Sequence, residues 1–268
     1  MDTIHAITQG FANTYVVNGR DGVMVVDPGS RGAALAVVDY CTNVLGVPPQ
    51  ESIKLIAMTH YHIDHIGGIA TLLEHCAPDT VVVASEYVRD YMAGKRKLSA
   101  MHNWTSCLQT ASCCLRIDVP PVFHSYDSLA GVPGLEKLCI PVAQDRFQFS
   151  GIRFSSSIGF GDWLLLPTPG HTEDSISFFD PATKSFICGD FILNVEPVLF
   201  PDGMINDFCS DHALIWESLK RLVDSVYVAA LYPGHGAAVV MQHPGSGKSI
   251  LLGVGGTSIS SQIEMALM

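Results

Sequence analysis

With 268 residues, 48% hydrophobic and 15% charged, the chain can bury a substantial core and is too apolar to be disordered. Its formal charge of −11 argues against a nucleic-acid backbone as partner, because phosphate binding needs clustered Lys and Arg. No run reaches the ~18 uninterrupted apolar residues of a membrane span, and the N-terminus lacks a basic start followed by an apolar run. The expectation is a cytoplasmic protein that engages neither nucleic acid nor membrane.

In chain order, "NTYVVNG" and "GVMVVDPG" read as two strands joined by a turn-rich connection. "RGAALAVVDYCTNVLG" has helical periodicity and ends near Gly46. "SIKLIAMTH" is a buried strand, "GGIATLLEHC" a helix and "TVVVAS" a further strand. This alternation predicts an α/β domain with a sheet covered by helices. Residues from about 86 to 141 differ: a helix-compatible stretch with a mixed-charge centre runs into a Pro- and Gly-punctuated segment. They read as a mainly helical insertion, a lid or cap, within a single domain spanning 1–268. The basic run Lys95-Arg96-Lys97 inside it reads as a solvated patch. Strand-like runs resume at "DRFQFSGIRFSSSIG", "DWLLLPTPGH", "SISFFD", "SFICGDF" and "SVYVAALYPGH". Between the last two, "DHALIWESLKRLVDS" is an amphipathic helix with Leu214, Ile215, Leu219, Leu222 and Val223 at helical spacing.

The eight cysteines form no CxxC pair and read as reduced, buried small hydrophobes, with the adjacent Cys113 and Cys114 the one pair open to redox chemistry. "GSGKS" at 245–249 is not a phosphate loop, since Gln242 stands where the pattern needs Gly and no strand leads into it.

The chemistry gathers at "THYHIDHIGG". His60, His62, Asp64 and His65 fall within six positions, a density costly to bury without a cation. Strand alternation puts His60 and His62 on one side, while Asp64 and His65 occupy the turn that starts a helix. Imidazole suits zinc, iron, copper or nickel, and a neighbouring carboxylate suits a hard dication. Three further candidates follow at strand ends: His171 after "LLLPTPG", Asp190 after "SFICG" and His235 after "ALYPG". The repeated Pro-Gly-His suggests one local device used twice. His5, His75, His102, His124, His212 and His243 lack such a context and read as surface or core histidines.

Together "VVDPG", "THYHIDHIGG", "TPGHTEDS", "ICGD" and "YPGHG", in this order, resemble the metallo-β-lactamase-fold hydrolase superfamily over about residues 12–240. The resemblance implies a four-layer αββα sandwich with a dinuclear metal site at one edge of two sheets. It implies one divalent ion at His60, His62 and His171, a second at Asp64, His65 and His235, and Asp190 bridging them. Zinc is the first expectation for both ions, with iron or manganese as alternatives. Asp27, in "VVDPG", matches an acidic position behind the ligands that orients them. The resemblance further implies that two dications would supply a hydroxide able to attack a carbonyl or phosphorus, with Asp64 as the catalytic residue expected to orient it.

Within the superfamily, Cys stands at the Asp190 position in the common secreted β-lactamases, and the diiron flavoprotein relatives usually have a carboxylate at the His62 position. Glyoxalase II shares the bridging Asp but normally has its next metal histidine much closer to the first motif. Quorum-quenching lactonases share the later spacings, yet usually carry Tyr where Leu193 stands. Tyr87, Tyr91, Met92, Met101 and Trp104 of the insertion either line an apolar substrate pocket or pack the insertion's own core. The resulting expectation is a hydrolase of a small thioester, ester or lactone. A phosphodiesterase, and an iron-dependent oxidoreductase resembling the persulfide-oxidising relatives, use the same residues. A homo-oligomer is left open.

Overall fold

The computed structural model describes residues 2–9, 11–92, 95–96, 147–150, 155–194 and 209–240. The first sheet is formed by β1 (Thr3–Ile7), β2 (Thr14–Gly19), β3 (Gly22–Val26), β4 (Ile53–Ala57), β5 (Val81–Ser85) and β6 (Phe147–Ser150), in that spatial order. Its first three strands run antiparallel, and β3 to β6 run parallel. The second comprises β7 (Ser156–Ser157), β8 (Leu164–Pro167), β9 (Ile176–Asp180), β10 (Ser185–Gly189), β11 (Ala230–Pro233) and β12 (Val239–Val240). All its neighbours are antiparallel except β10 and β11.

Alternation along the strands separates the core into three layers. In β3, Met24 and Val26 point between the sheets, where they meet Trp163, Leu165, Ile176, Phe178 and Ile187 from the second. Val23 and Val25 point the other way, onto Ala34 and Val37 of α1 (Arg31–Asp39) and Ile69 and Leu72 of α4 (Ile69–Leu73). The outer face of the second sheet, including Phe179, Phe186 and Leu231, packs on Ile215, Leu219 and Leu222 of α6 (His212–Ser225). The order is therefore helix, sheet, sheet, helix. Truncating fully buried Leu219 to Ala would cost about 2–5 kcal/mol.

Local chemistry explains the boundaries. Ser30 Oγ accepts from Ala33 N at 3.2 Å to start α1, which passes through a π-helical turn at Tyr40–Val44 and stops before Gly46, at φ +70°. Asp211 Oδ1 accepts from Leu214 N at 2.9 Å to start α6. The short helices α2 (Pro49–Ser52) and α3 (Ile63–Ile66) flank β4, and α5 (Glu86–Met92) follows β5.

Several expectations need adjustment. Strand β11 starts only at Ala230, because Val226 N is spent on Leu222 O at 2.8 Å, ending α6, and Ala229 N on Lys184 O at 2.9 Å. Leu214 and Val223 are only half-buried, whereas Ser218 is buried because its hydroxyl donates to Pro169 O at 2.8 Å. Arg96 is not simply solvated. Its guanidinium pairs with Glu173 at 3.1 Å and lies 4.2 Å over the Tyr87 ring. Most of the expected insertion, with Met101, Trp104, Cys113 and Cys114, lies outside the described residues, as do His102, His124, His243 and the 245–249 segment. Among the described residues no helix is long and apolar enough to cross a membrane.

Candidate metal centre

The strand carrying the first motif ends at Ala57, so His60 and His62 sit in the following loop rather than on a strand. Alternation is therefore not what aligns them. The loop turns back over the sheet edge, where Thr59 O accepts from Ile176 N of the second sheet at 2.8 Å. Helix α3 then presents Asp64 and His65 within one turn.

All seven expected residues meet at this edge. His60, His62, His171 and Asp190 form one group, and Asp64, His65 and His235 another, each offering ligand atoms within 4.8 Å of one another. In the first, His62 Nδ1 lies 2.9 Å from His60 Nε2 and 3.0 Å from His171 Nε2. Asp190 Oδ2 closes that group at 3.5 Å from His171 Nε2 and 4.0 Å from His60 Nε2. In the second, His235 Nε2 stands 3.3 Å from Asp64 Oδ2, and His65 Nε2 stands 3.6 Å from the same atom. Asp190 also reaches this group, 3.2 Å from His65 Nε2 and 3.3 Å from His235 Nε2. It is thus the carboxylate common to both.

Hydrogen bonds behind the rings settle which nitrogens face inward. Thr59 Oγ1 donates to Asp27 Oδ2 at 2.6 Å, leaving its oxygen to accept from His60 Nδ1 at 3.0 Å. His65 Nδ1 donates to Asp27 Oδ2 at 2.8 Å, and His235 Nδ1 to Phe11 O at 2.9 Å. Each of these rings therefore turns Nε2 into the site. Asp27 also accepts from Thr59 N at 2.8 Å, so one buried carboxylate braces a ring in each group. Its backbone sits at φ +49°, a strained conformation for a residue with a Cβ, although Asp adopts it more readily than most. Thr59 carried no recognisable signal in the sequence, because its role depends on contacts with Asp27.

The packing is tight enough to need glycine. Gly189, immediately before Asp190, has φ +50°, and a Cβ there would enter Thr59 Oγ1. A Cβ on Gly234 would collide with Asp190 Oδ1 and His65 Cε1. The loop before His171 is held from α6, where Arg221 Nη2 donates to Pro167 O at 2.6 Å. Ser210 N and Asp211 N donate to His171 O and Gly170 O at 2.9 and 3.0 Å.

The electrostatics differ between the groups. His62 is pushed down to about 3 by burial and by His171 beside it, and burial likewise lowers His60 and His171. These rings are neutral and present lone pairs. At His65 and His235 burial opposes the charge, but carboxylates, Asp190 foremost, outweigh it. They hold His65 well above its ordinary value and raise His235 to about 10. Asp190 itself is kept well below the usual carboxylate range, because His235 and His65 outweigh its burial. Ring nitrogens gathered at 3 Å in one group, and carboxylates that draw protons onto His65 and His235 in the other, are both settings that a bound cation would satisfy. Tetrahedral zinc, with ~2.0–2.1 Å to each nitrogen, places its ligand atoms about 3.3 Å apart. The nitrogen spacings of 2.9 and 3.0 Å are close to that, so the donor set fits a divalent ion.

Tyr91, on α5, lies beside the loop that follows His171, and Tyr87, on the same helix, lies under the Arg96 guanidinium. Tyr91 packs against the first core and donates from its hydroxyl to Glu173 Oε1 at 2.8 Å. The Met92 side chain, with Met101 and Trp104, falls outside the described part.

The metallo-beta-lactamase superfamily model matches residues 7–235. The probable metallo-hydrolase YflN of Bacillus subtilis (strain 168) is 26% identical over 87% of this chain and 83% of its own length. A hydroxyacylglutathione hydrolase of Idiomarina loihiensis is 26% identical over 71% of this chain. The chain spans about half of that enzyme, 51% of its length. Among solved structures, TTHA1623 in a di-iron-bound form superposes with a TM-score of 0.51 at 20% identity, covering 89% of this chain and 94% of that one.

Proposed function

The chain belongs to the metallo-beta-lactamase superfamily, and from that premise we propose that it is a dinuclear metal-dependent hydrolase of a small thioester, ester or lactone. The observation that carries this reading is Asp190, whose two oxygens reach His65, His171 and His235 within 3.2–3.5 Å and so span both groups. His60, His62 and His171 would hold one ion, Asp64, His65 and His235 the other. Bound divalent ions supply Lewis acidity for a carbonyl oxygen and a water acidified toward neutral pH.

The remaining work belongs to this chain's own groups. Asp64 Oδ1 is buried without a hydrogen-bond partner among the described residues, which suits a carboxylate that accepts from the attacking water and orients it. Asp27 and Phe11 O fix the ring orientations, so no reorganisation is needed at the moment of reaction. No side-chain nucleophile is required.

Zinc is the proposed metal, and the histidine-rich donor set suits iron or manganese as well; the di-iron form of TTHA1623 supports weighing iron. A carbonyl substrate is favoured by the hydroxyacylglutathione hydrolase relative, whose name denotes an acyl thioester. The charge of −11 weighs against polyanionic partners.

A panel of acyl thioesters, aryl esters, lactones and aryl phosphodiesters, assayed with zinc, manganese or iron loaded separately, tests the proposal. Turnover of a carbonyl substrate, lost on Asp64→Asn with the metal content retained, is the expected result. Phosphodiester turnover alone, or oxygen consumption by the iron form without hydrolysis, would contradict it.

A further inference from the structure

The loop that carries His235 has almost no side chain to pack. Pro233 and Gly234 are buried, but Gly236, Ala237 and Ala238 are exposed, and Gly236 sits at φ +89°. Its shape is fixed instead by hydrogen bonds from two asparagines approaching from opposite sides. Asn13 stands at the entrance to β2 in the first sheet, and Asn194 follows β10 in the second. Every carbonyl from Pro233 to Ala237 accepts from these residues or from Tyr15.

Pro233 O takes Asn13 Nδ2 at 3.0 Å and the Tyr15 hydroxyl at 2.6 Å. Gly234 O takes Asn13 N at 2.7 Å, and Gly236 O takes Asn13 Nδ2 at 2.7 Å. From the other side, Asn194 N donates to His235 O at 3.0 Å and Asn194 Nδ2 to Ala237 O at 2.7 Å. Asparagine suits the task because its amide supplies two hydrogens in one plane beside a backbone N–H. The rings of the other group do not lean on these asparagines: His60 is braced through Thr59, and the segment carrying His171 is held from Ser210, Asp211 and Arg221.

We propose that Asn13 and Asn194 are positioning residues for His235, and that this clamp sets how firmly the ion at Asp64, His65 and His235 is held. The ion at His60, His62 and His171 would be linked to it only through the shared Asp190. This rests on the two-ion reading above. Partners behind a metal ligand typically change affinity by about 10–100-fold. The distinguishing effect is therefore selective loss of one ion, not a general loss of fold.

The test compares the wild-type chain with Asn13→Ala and Asn194→Ala. Each is loaded with zinc and dialysed against graded chelator, with ions per chain counted by elemental analysis, and cobalt loading gives a spectrum for each site. Both variants should lose the second ion at about tenfold lower chelator concentration and keep the first as wild type does. Retention of both ions as in wild type, or loss of both together, overturns the clamp. Wild type that holds a single ion overturns the two-ion reading and the clamp with it, a result visible before any variant is made. Asn194 donates at the exposed rim, so Asn194→Ala carries the same expectation should Asn13→Ala not fold.

Discussion

The two sheet edges that meet at the metal centre contribute in different ways. The first supplies His60, His62, Asp64 and His65 from one unbroken stretch, a loop and the first turn of a helix. The second supplies His171, Asp190 and His235 singly, from three separate loops. In the contiguous stretch, chain connectivity does much of the positioning, and Asp27 with Thr59 completes it. The scattered residues have no such connection, so each is held by its own long-range contacts: hydrogen bonds from α6 to the His171 loop, close packing of Gly189 on Thr59, and the asparagines around His235. The second edge should therefore be the easier one to disrupt without unfolding the protein.

The strongest disruption comes at Asp190, which faces both groups. Asp190→Ala should reduce hydrolysis by on the order of 10²–10³-fold and lower the ions retained per chain, measured by kinetics alongside elemental analysis. Retention of both ions with full turnover would remove Asp190 from its shared role. Next, Gly234→Ala drives a methyl group into Asp190 and His65, which cannot move without disturbing the site. A loss of about 1–3 kcal/mol in denaturant unfolding is expected, together with weaker metal retention. An unchanged variant would mean that the loop relaxes freely.

On the first edge, Asp27→Asn separates charge from backbone, because Asn tolerates the positive φ that Asp27 adopts. The substitution leaves Thr59 N, Thr59 Oγ1 and His65 Nδ1 competing for fewer acceptors, since the amide nitrogen cannot accept. Metal affinity should fall about 10–100-fold with the fold intact, and a titration showing less than a twofold change would contradict the bracing role. The smallest effect is expected at Glu173, which ties Arg96 and Tyr91 to the loop after His171 from a half-exposed position. Glu173→Gln should shift stability by less than about 1 kcal/mol, because exposed ion pairs contribute little. A larger loss on thermal unfolding would show that this contact anchors more than its geometry suggests.

This asymmetry also explains what could be read in the sequence. Short apolar runs such as "GVMVV" and the helical spacing of Ile215, Leu219 and Leu222 report local burial, and they anticipated strands in both halves of the chain and α6, while the two-sheet sandwich came from the resemblance. The run from His60 to His65 was legible because its candidate ligands are neighbours in the chain, although alternation was the wrong reason for their alignment. His171, Asp190 and His235 could be tied to it only through Pro-Gly-His and strand-end positions. Thr59, Asn13 and Asn194 went unrecognised, because a hydrogen bond to a partner such as Pro233, 220 positions from Asn13, leaves no local pattern. Ser218 was passed over for the same reason, a polar residue buried only because Pro169 O awaits it. Strand β11 was read too long because competition for the amides of Val226 and Ala229 is a tertiary effect.

The central claim is that two ions share one carboxylate at this edge. Metal-free protein titrated with zinc, with bound ions counted by elemental analysis after removal of excess, tests it most directly. The account predicts two ions per chain in wild type and fewer in Asp190→Ala. Wild type that saturates at one ion, or binds none, would contradict it.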